Sequence, residues 1–301
     1  MSARKEVEEK IDRKARMKIP YEPQEARPVE VRIADFEPTF IPLTAEEAMK
    51  AAERCIHCPD PSACVEACVV HNNIPEAMYL IEAGDFIGAA EIYRQTSSMP
   101  EICGRVCPHS DLCQGSCVRS KRGEPVLTGA LEAFVTDYQR QHSEVVIPKG
   151  EPTGKRVAVV GSGPAGLACA ERLVRQGHEV SIIEALPTPG GLLIYGIPNF
   201  KLPKDVVQNV IQDLENAGVE FVLNTRIGDK KTVEDALILA TARRAFRSND
   251  APQLAPIASL HYLLPIIHEL KVTPPDPGYL DYLRYKLARR TPPRATDHQI
   301  P

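Results

Sequence analysis

The stretch Arg156-Val-Ala-Val-Val-Gly161-Ser-Gly163-Pro-Ala-Gly166, continued through Gly177 to Val180-Ser-Ile-Ile-Glu184, decides the fold of its half of the chain. Arg156–Val160 reads as a short buried strand. Three glycines spaced G-x-G-x-x-G follow it, then a helix over about 164–176 that stops at Gly177. Val180–Glu184 is a second strand. The order strand, glycine turn, helix, strand is one βαβ unit and the start of a parallel sheet. Gly161 permits the tight turn. Gly163 lets backbone approach a pyrophosphate at the helix N-terminus, where amide donors and the helix dipole favour an anion. Gly166 lets helix and strand pack closely, and Ser162, Pro164 and Ala165 complete the loop. Glu184, at the end of the second strand, can accept hydrogen bonds from ribose hydroxyls and would repel a 2′-phosphate. The expected nucleotide is FAD or NAD rather than NADP. Downstream, Pro189-Gly190-Gly191-Leu192 is a second glycine turn able to lie against a ligand. An amphipathic helix is expected over Lys204–Ala217, stopped by Gly218, with further strands at Val219–Asn224 and Ala236–Thr241.

Upstream, residues 148–154 are rich in proline and glycine and read as a linker. Residues 44–147 carry helical spacing instead. Thr44 and Glu47 form a capping box that opens a helix to about Cys55. Further helices are expected over 75–83, over 85–95 (with Phe86, Ala89, Ala90 and Tyr93 on one face), and over 126–142, with the cysteines on the connecting turns. Residues 1–43 contain five prolines and read as an extended arm with one short helix at 3–17.

Eight of the nine cysteines fall in this helical region, as Cys55-x2-Cys58-x5-Cys64-x3-Cys68 and Cys103-x3-Cys107-Pro-x4-Cys113-x3-Cys117. Disulfides require an oxidising compartment, and the charged N-terminus has no secretory character. Structural zinc prefers two close pairs, and only one C-x2-C is present. Clustered thiolates two to five residues apart suit iron–sulfur ligation, so eight cysteines suggest two [4Fe–4S] clusters, with ligands interleaved between the two sets. Cys169 reads as a small buried apolar residue.

A net charge of −4 and a pI of about 6.1 argue against nucleic acid or an anionic membrane as partner. No apolar run approaches the length of a membrane span, and the expected location is the cytoplasm. The last 59 residues differ in character, holding nine Lys/Arg against five Asp/Glu and nine of the 27 prolines.

The segments AERCIHCPDPSACVEAC, ICGRVCPHSDLCQGSC, KRGEPVLTGALEAFV, KRVAVVGSGPAGLACAERL and PGGLLIYGIPNFKLPK together resemble the small subunit of NADPH-dependent glutamate synthase, a module found also in dihydropyrimidine dehydrogenase. The resemblance covers roughly residues 20–242. It implies an iron–sulfur flavoprotein oxidoreductase in which electrons pass between NADPH, FAD and two [4Fe–4S] clusters to a second redox subunit or another site, and it leaves a homo-oligomer open. On the family pattern, Cys55, Cys58, Cys64 and Cys117 hold one cluster. Cys68, Cys107 and Cys113 hold the other, with Glu132 in the place of the fourth ligand; spacing alone would choose Cys103 in place of Glu132. Gly161, Gly163, Gly166, Glu184 and the Gly190-Gly191-Leu192 turn would hold FAD. The pattern identifies no catalytic residue. The sequence departs from the family at Val69, where proline is usual, and at Ala240-Thr241-Ala242, where Ala-Thr-Gly is usual. Beyond about residue 242 the resemblance ends, and no second G-x-G-x-x-G/A offers an NADPH site. The expected architecture is multidomain, α plus α/β: an arm (1–43), a helical two-cluster domain (44–147), an incomplete Rossmann-like FAD-binding domain (155–242) and a proline-rich tail of atypical sequence (243–301).

Overall fold

The computed structural model describes residues 11–228, which lie within one compact unit, Met1–Ala251. The expected strand Ala236–Thr241, the start of the 3–17 helix and the tail from 243 lie outside the described residues.

The arm is not simply extended. It carries two one-turn helices, α1 (Arg13–Arg16) and α2 (Val29–Arg32), and closes a loop through a bridge between Ala26 and Phe40. The helical domain follows as α3 (Ala45–Glu53), α4 (Ala63–Ala67), α5 (Ile74–Glu82), α6 (Phe86–Arg94), α7 (Pro100–Val106) and α8 (Thr128–His142). The capping box forms as the sequence requires: Glu47 N donates to Thr44 Oγ1 at 3.2 Å and Thr44 N donates to Glu47 Oε2 at 2.7 Å. Phe86, Ala89, Ala90 and Tyr93 face inward together and join Ala48, Ala52, Met78, Ile81, Leu131 and Val135 in one core.

The expectation that all the cysteines sit on connecting turns is overturned at two positions. Cys64 lies within α4 and Cys103 within α7, not on connecting turns. Helix α7 is short, with Pro100 at its first position, where the missing N–H costs nothing.

The second half is a three-stranded parallel sheet in the order β1-β2-β3, with β1 at Arg156–Val160, β2 at Glu179–Ile183 and β3 at Glu220–Val222. Arg156 pairs with Glu179 and Val160 with Ile183. Helices α9 (Pro164–Arg175), α10 (Leu192–Tyr195) and α11 (Lys204–Asn216) complete it. Gly177 and Gly218 end α9 and α11 with φ of +81° and +89°, the left-handed conformation glycine adopts without a Cβ penalty. β1 is only half-buried, and Val160 is 43% exposed. Among the described residues it pairs on one edge alone, so its apolar composition overstates its burial.

The two halves share a core. Met99 and Ile102 of the α7 segment pack among Leu167, Leu173, Val174, Val207, Val210 and Leu214 of the α/β half, with Cys103 and Val106 beside them. A buried ionic cluster reinforces the joint. Glu101, 1% exposed, accepts from Arg94 Nη2 at 2.9 Å and from Arg140 Nη2 at 2.6 Å. Arg140 also reaches Asp213 of α11.

Candidate iron–sulfur and dinucleotide sites

The first cysteine loop is held from outside by the arm. Arg13 donates to the carbonyls of Ile56 (3.1 Å) and His57 (2.9 Å). Arg16 donates to the carbonyls of Glu53 and Cys55 and pairs with Glu82. His57, at φ +45°, is buried with Nε2 2.9 Å from Glu82 Oε1. Arg119, two residues past Cys117, donates to the carbonyls of Arg16 and Ile19. This circle fastens Cys55 and Cys58 to the chain near Cys117, far away in sequence. Composition gave no warning of it, because isolated arginines in a charged arm read as solvated.

None of the nine cysteines is in a disulfide. Electrostatic coupling links neighbouring thiols within and between the two sequence motifs. Burial pushes the Cys55 thiol up, and the neighbouring Cys64, Glu82 and Cys58 add to it. Cys58 is raised by burial and then by Cys117, and Cys64 by burial and then by Cys117 and Cys58. Cys55, Cys58, Cys64 and Cys117 are therefore close enough to feel one another's charge. Cys113 and Glu132 form a second focus, which Cys64 also reaches. Cys113 is pushed up to about 12 by burial, then by Glu132, Cys68 and Cys64. Glu132, 5% exposed on α8, is held well above the carboxylate range by burial and by Cys107.

Cys103 touches this second group from the side. Its thiol donates to Cys107, which draws Cys107 down to about 7 and keeps Cys103 protonated. Ser97 Oγ lies 3.8 Å from Cys103 Sγ on its other side. Glu132 receives a hydrogen bond from Asn72 Nδ2 at 3.4 Å, and Asn72 is fixed in turn by Thr96 Oγ1 at 2.6 Å.

Two features bear on whether these residues fit iron–sulfur clusters. Among the described residues no three such side chains converge to hold a single ion. In a cubane each thiolate takes a different iron, so the ligands surround the group rather than converge on one point. Buried thiols that repel one another as anions would be held as thiolates by the positive irons of a cluster, which invert the local pKa logic. The donor set fits.

In the α/β half, Gly161 has φ +92°, and a Cβ at Gly166 would lie 1.9 Å from Gly161 O. Both glycines are required by the turn. Gly163 is different: a Cβ there would meet nothing within 4 Å. Packing does not demand glycine at 163, and the space it leaves is where a pyrophosphate would approach the start of α9. Pro164 and Ala165 open that helix. Gly191, φ +51°, abuts the fingerprint, since its Cβ would fall 2.9 Å from Gly163 Cα. Gly190 has φ +120°, and Leu192 stands 64% exposed at the start of α10. Ser162 ties the pieces together. Its N and Oγ donate to Glu184 Oε2 at 2.8 and 2.6 Å, and its Oγ accepts from Gly190 N at 3.0 Å. Glu184 also accepts from Leu186 N. Burial opposes its ionisation, but these donors prevail and keep the carboxyl below its ordinary range. The carboxylate is thus presented as a fixed acceptor.

Residues 32–144 match the family described as dihydropyrimidine dehydrogenase domain II, 4Fe-4S cluster. Residues 159–198 match the NAD(P)-binding Rossmann-like domain. The two matches define a class: a 4Fe-4S-type domain joined to a Rossmann-like dinucleotide-binding domain. Within that class the chain is a homologue of the small chain of NADPH-dependent glutamate synthase. It is 38% identical to that of Halomonas elongata over 219 residues, covering 71% of this chain and 45% of the relative. It is 38% identical to that of Escherichia coli over 212 residues, covering 70% and 45%. A subunit of the NAD-dependent dihydropyrimidine dehydrogenase of an Escherichia coli strain is 38% identical over 200 residues, covering 66% and 48%. The chain spans about half the length of these curated relatives. No helix among the described residues is long and apolar enough to cross a membrane.

Proposed function

We propose that this chain is the cluster-bearing and FAD-binding part of an iron–sulfur flavoprotein oxidoreductase of the glutamate synthase small-chain type. Cys55, Cys58, Cys64 and Cys117 would hold one [4Fe–4S] cluster. Cys68, Cys107, Cys113 and Glu132 would hold the second, and Cys103 would act as a hydrogen-bond donor to Cys107 rather than as a ligand. Gly163, the start of α9 and the Gly190–Gly191 turn would receive the FAD pyrophosphate, with Glu184 toward a ribose. FAD supplies the exchange between hydride and single-electron chemistry when bound. The residues of this chain position it, exclude a 2′-phosphate at Glu184, and set the cluster environment. Electrons would run between NADPH, FAD and the clusters and onward to a second redox subunit or another copy.

The observation that carries this reading is the shared core. Helix α7 packs into the α/β half with Cys103 beside the joint and ends at Cys107, which supports a second cluster close to the proposed flavin domain. The test is iron, acid-labile sulfide and flavin per chain in anaerobically purified protein. Eight irons, eight sulfides and one FAD per chain are expected; tightly bound zinc without sulfide would refute the reading. A second reading, a non-catalytic electron-transfer or assembly subunit, rests on the single dinucleotide fingerprint in the 301 residues. Protein that carries clusters but takes up no FAD would favour it.

A further inference from the structure

Tyr93 lies at the centre of the helical core, with no exposed surface. Its ring belongs to the inward face of α6, where phenylalanine would pack as well. Yet its hydroxyl is buried without a hydrogen-bond partner among the described residues. Such a group is costly in a folded interior and usually has a role or a partner still to come. The groups whose charge reaches the phenol are Glu132 first, then Cys113, Cys64 and Cys68. Three of these four belong to the second cysteine group, and the same core also contacts Cys55 and Cys117. Among the described residues, the ionisable groups whose charge reaches this hydroxyl thus all belong to the two proposed ligand sets.

We propose that the Tyr93 hydroxyl donates a hydrogen bond to the sulfur shell of the cluster held by Cys68, Cys107, Cys113 and Glu132, and raises that cluster's potential. This rests on the cluster assignment above. Tyr93 is a positioning residue and ligates nothing. Reduction adds negative charge to a cluster, so a donor aimed at its sulfurs favours the reduced form, and hydrogen bonds to sulfur are among the determinants of cluster potential. Burial strengthens the effect, because a dry, low-dielectric surround screens the added charge little.

The test is an EPR-monitored redox titration of the holoprotein and its Tyr93→Phe variant, which keeps the ring and removes only the oxygen. Electron uptake by one cluster should become about tenfold less favourable, ~59 mV for a one-electron couple, while the other stays in place. Replacement of Tyr93 by 3,5-difluorotyrosine, a stronger donor of nearly the same shape, should move the same cluster upward. This second variant also decides the matter if Tyr93→Phe loads poorly. Unmoved potentials in both variants, or equal shifts of both clusters, would overturn the proposal and leave Tyr93 as core filling. Iron and sulfide content of the unsubstituted chain checks the underlying assignment separately, and absence of sulfide there removes both.

Discussion

The two halves of this molecule build their sites by opposite routes. In the α/β half, the groups proposed to face a dinucleotide come from one continuous stretch, Gly161–Leu192, and local geometry places them. The turn at Gly161, the close approach at Gly166 and the Ser162 bridge between Glu184 and Gly190 all act within that stretch. In the helical half, Cys55, Cys58 and Cys64 meet Cys117 only because α3, α5, α6 and α8 pack into one core and because Arg13, Arg16 and Arg119 hold the loops from outside. A local site survives as long as its own segment folds. A dispersed site depends on every helix that brings its members together, and the shared core makes the second half a party to that dependence.

The sharpest way to break this comparison is Gly163→Val. A side chain there meets no protein atom but would occupy the space a pyrophosphate needs. Flavin binding should fall by at least about 100-fold, on the scale of one lost charge-assisted contact set, with iron and sulfide content unchanged. Equilibrium titration with FAD beside metal analysis reads both. Retained FAD affinity would mean that the fingerprint is only a structural turn.

The next largest effect probes the joint. Glu101→Ala strands Arg94 and Arg140, the latter already shared with Asp213. Removing one partner of a buried ionic group typically costs about 3–5 kcal/mol; a value near about 3 is expected here because Arg140 keeps 18% side-chain exposure. Cluster bleaching and flavin release, followed on heating, should both move to lower temperature. If cluster bleaching alone moves, the two halves are energetically separate despite their common apolar core.

What the sequence revealed follows the same division. The βαβ unit, its glycines and Glu184 were all legible, since each rule that governs them acts over a few residues. The capping box and the Phe86–Tyr93 face were legible for the same reason. Helix α7 was not. Met99, Ile102 and Val106 form its apolar face, but a stretch that short with Cys103 and Cys107 in it reads as a ligand motif, and its apolar side serves the other domain. The number and grouping of the cysteines pointed to clusters, whereas their division into two sets came from family resemblance and not from spacing. Tyr93 gave only a core signal, because nothing in a helical period distinguishes a buried hydroxyl from a buried ring.

A smaller effect separates the two candidates for the eighth ligand. Glu132→Ala should change the EPR spectrum and potential of one cluster only, because ligand type and local charge set both. Cys103→Ser should leave both clusters assembled, since a serine hydroxyl can still donate to Cys107. The reverse pattern would transfer the ligand role to Cys103 and make Glu132 a buried acid held by Asn72.

The smallest effect bears on how far the dispersed site's dependence reaches. Thr44 caps α3, the helix that ends just before Cys55, and the arm leading into it meets the α/β half where Thr39 N donates to Phe200 O at 3.3 Å. Thr44→Ala removes the hydroxyl that accepts from Glu47 N and leaves only the backbone N–H of residue 44 donating to Glu47 Oε2, at a cost of about 1 kcal/mol. For a cooperative unit of this size that is a fall of about 2–4 °C in the unfolding midpoint. The substitution touches neither the flavin loop nor the joint at Glu101, so any effect on flavin release has to travel through the packed core or through the arm contacts at Thr39–Phe200 and Phe36–Phe200. If the halves unfold as one, flavin release and cluster bleaching should shift together by that amount. Should the flavin signal stay fixed while the clusters bleach earlier, α7 would be a contact between two independently folding bodies, and the dispersed site's dependence would end at the edge of its own domain.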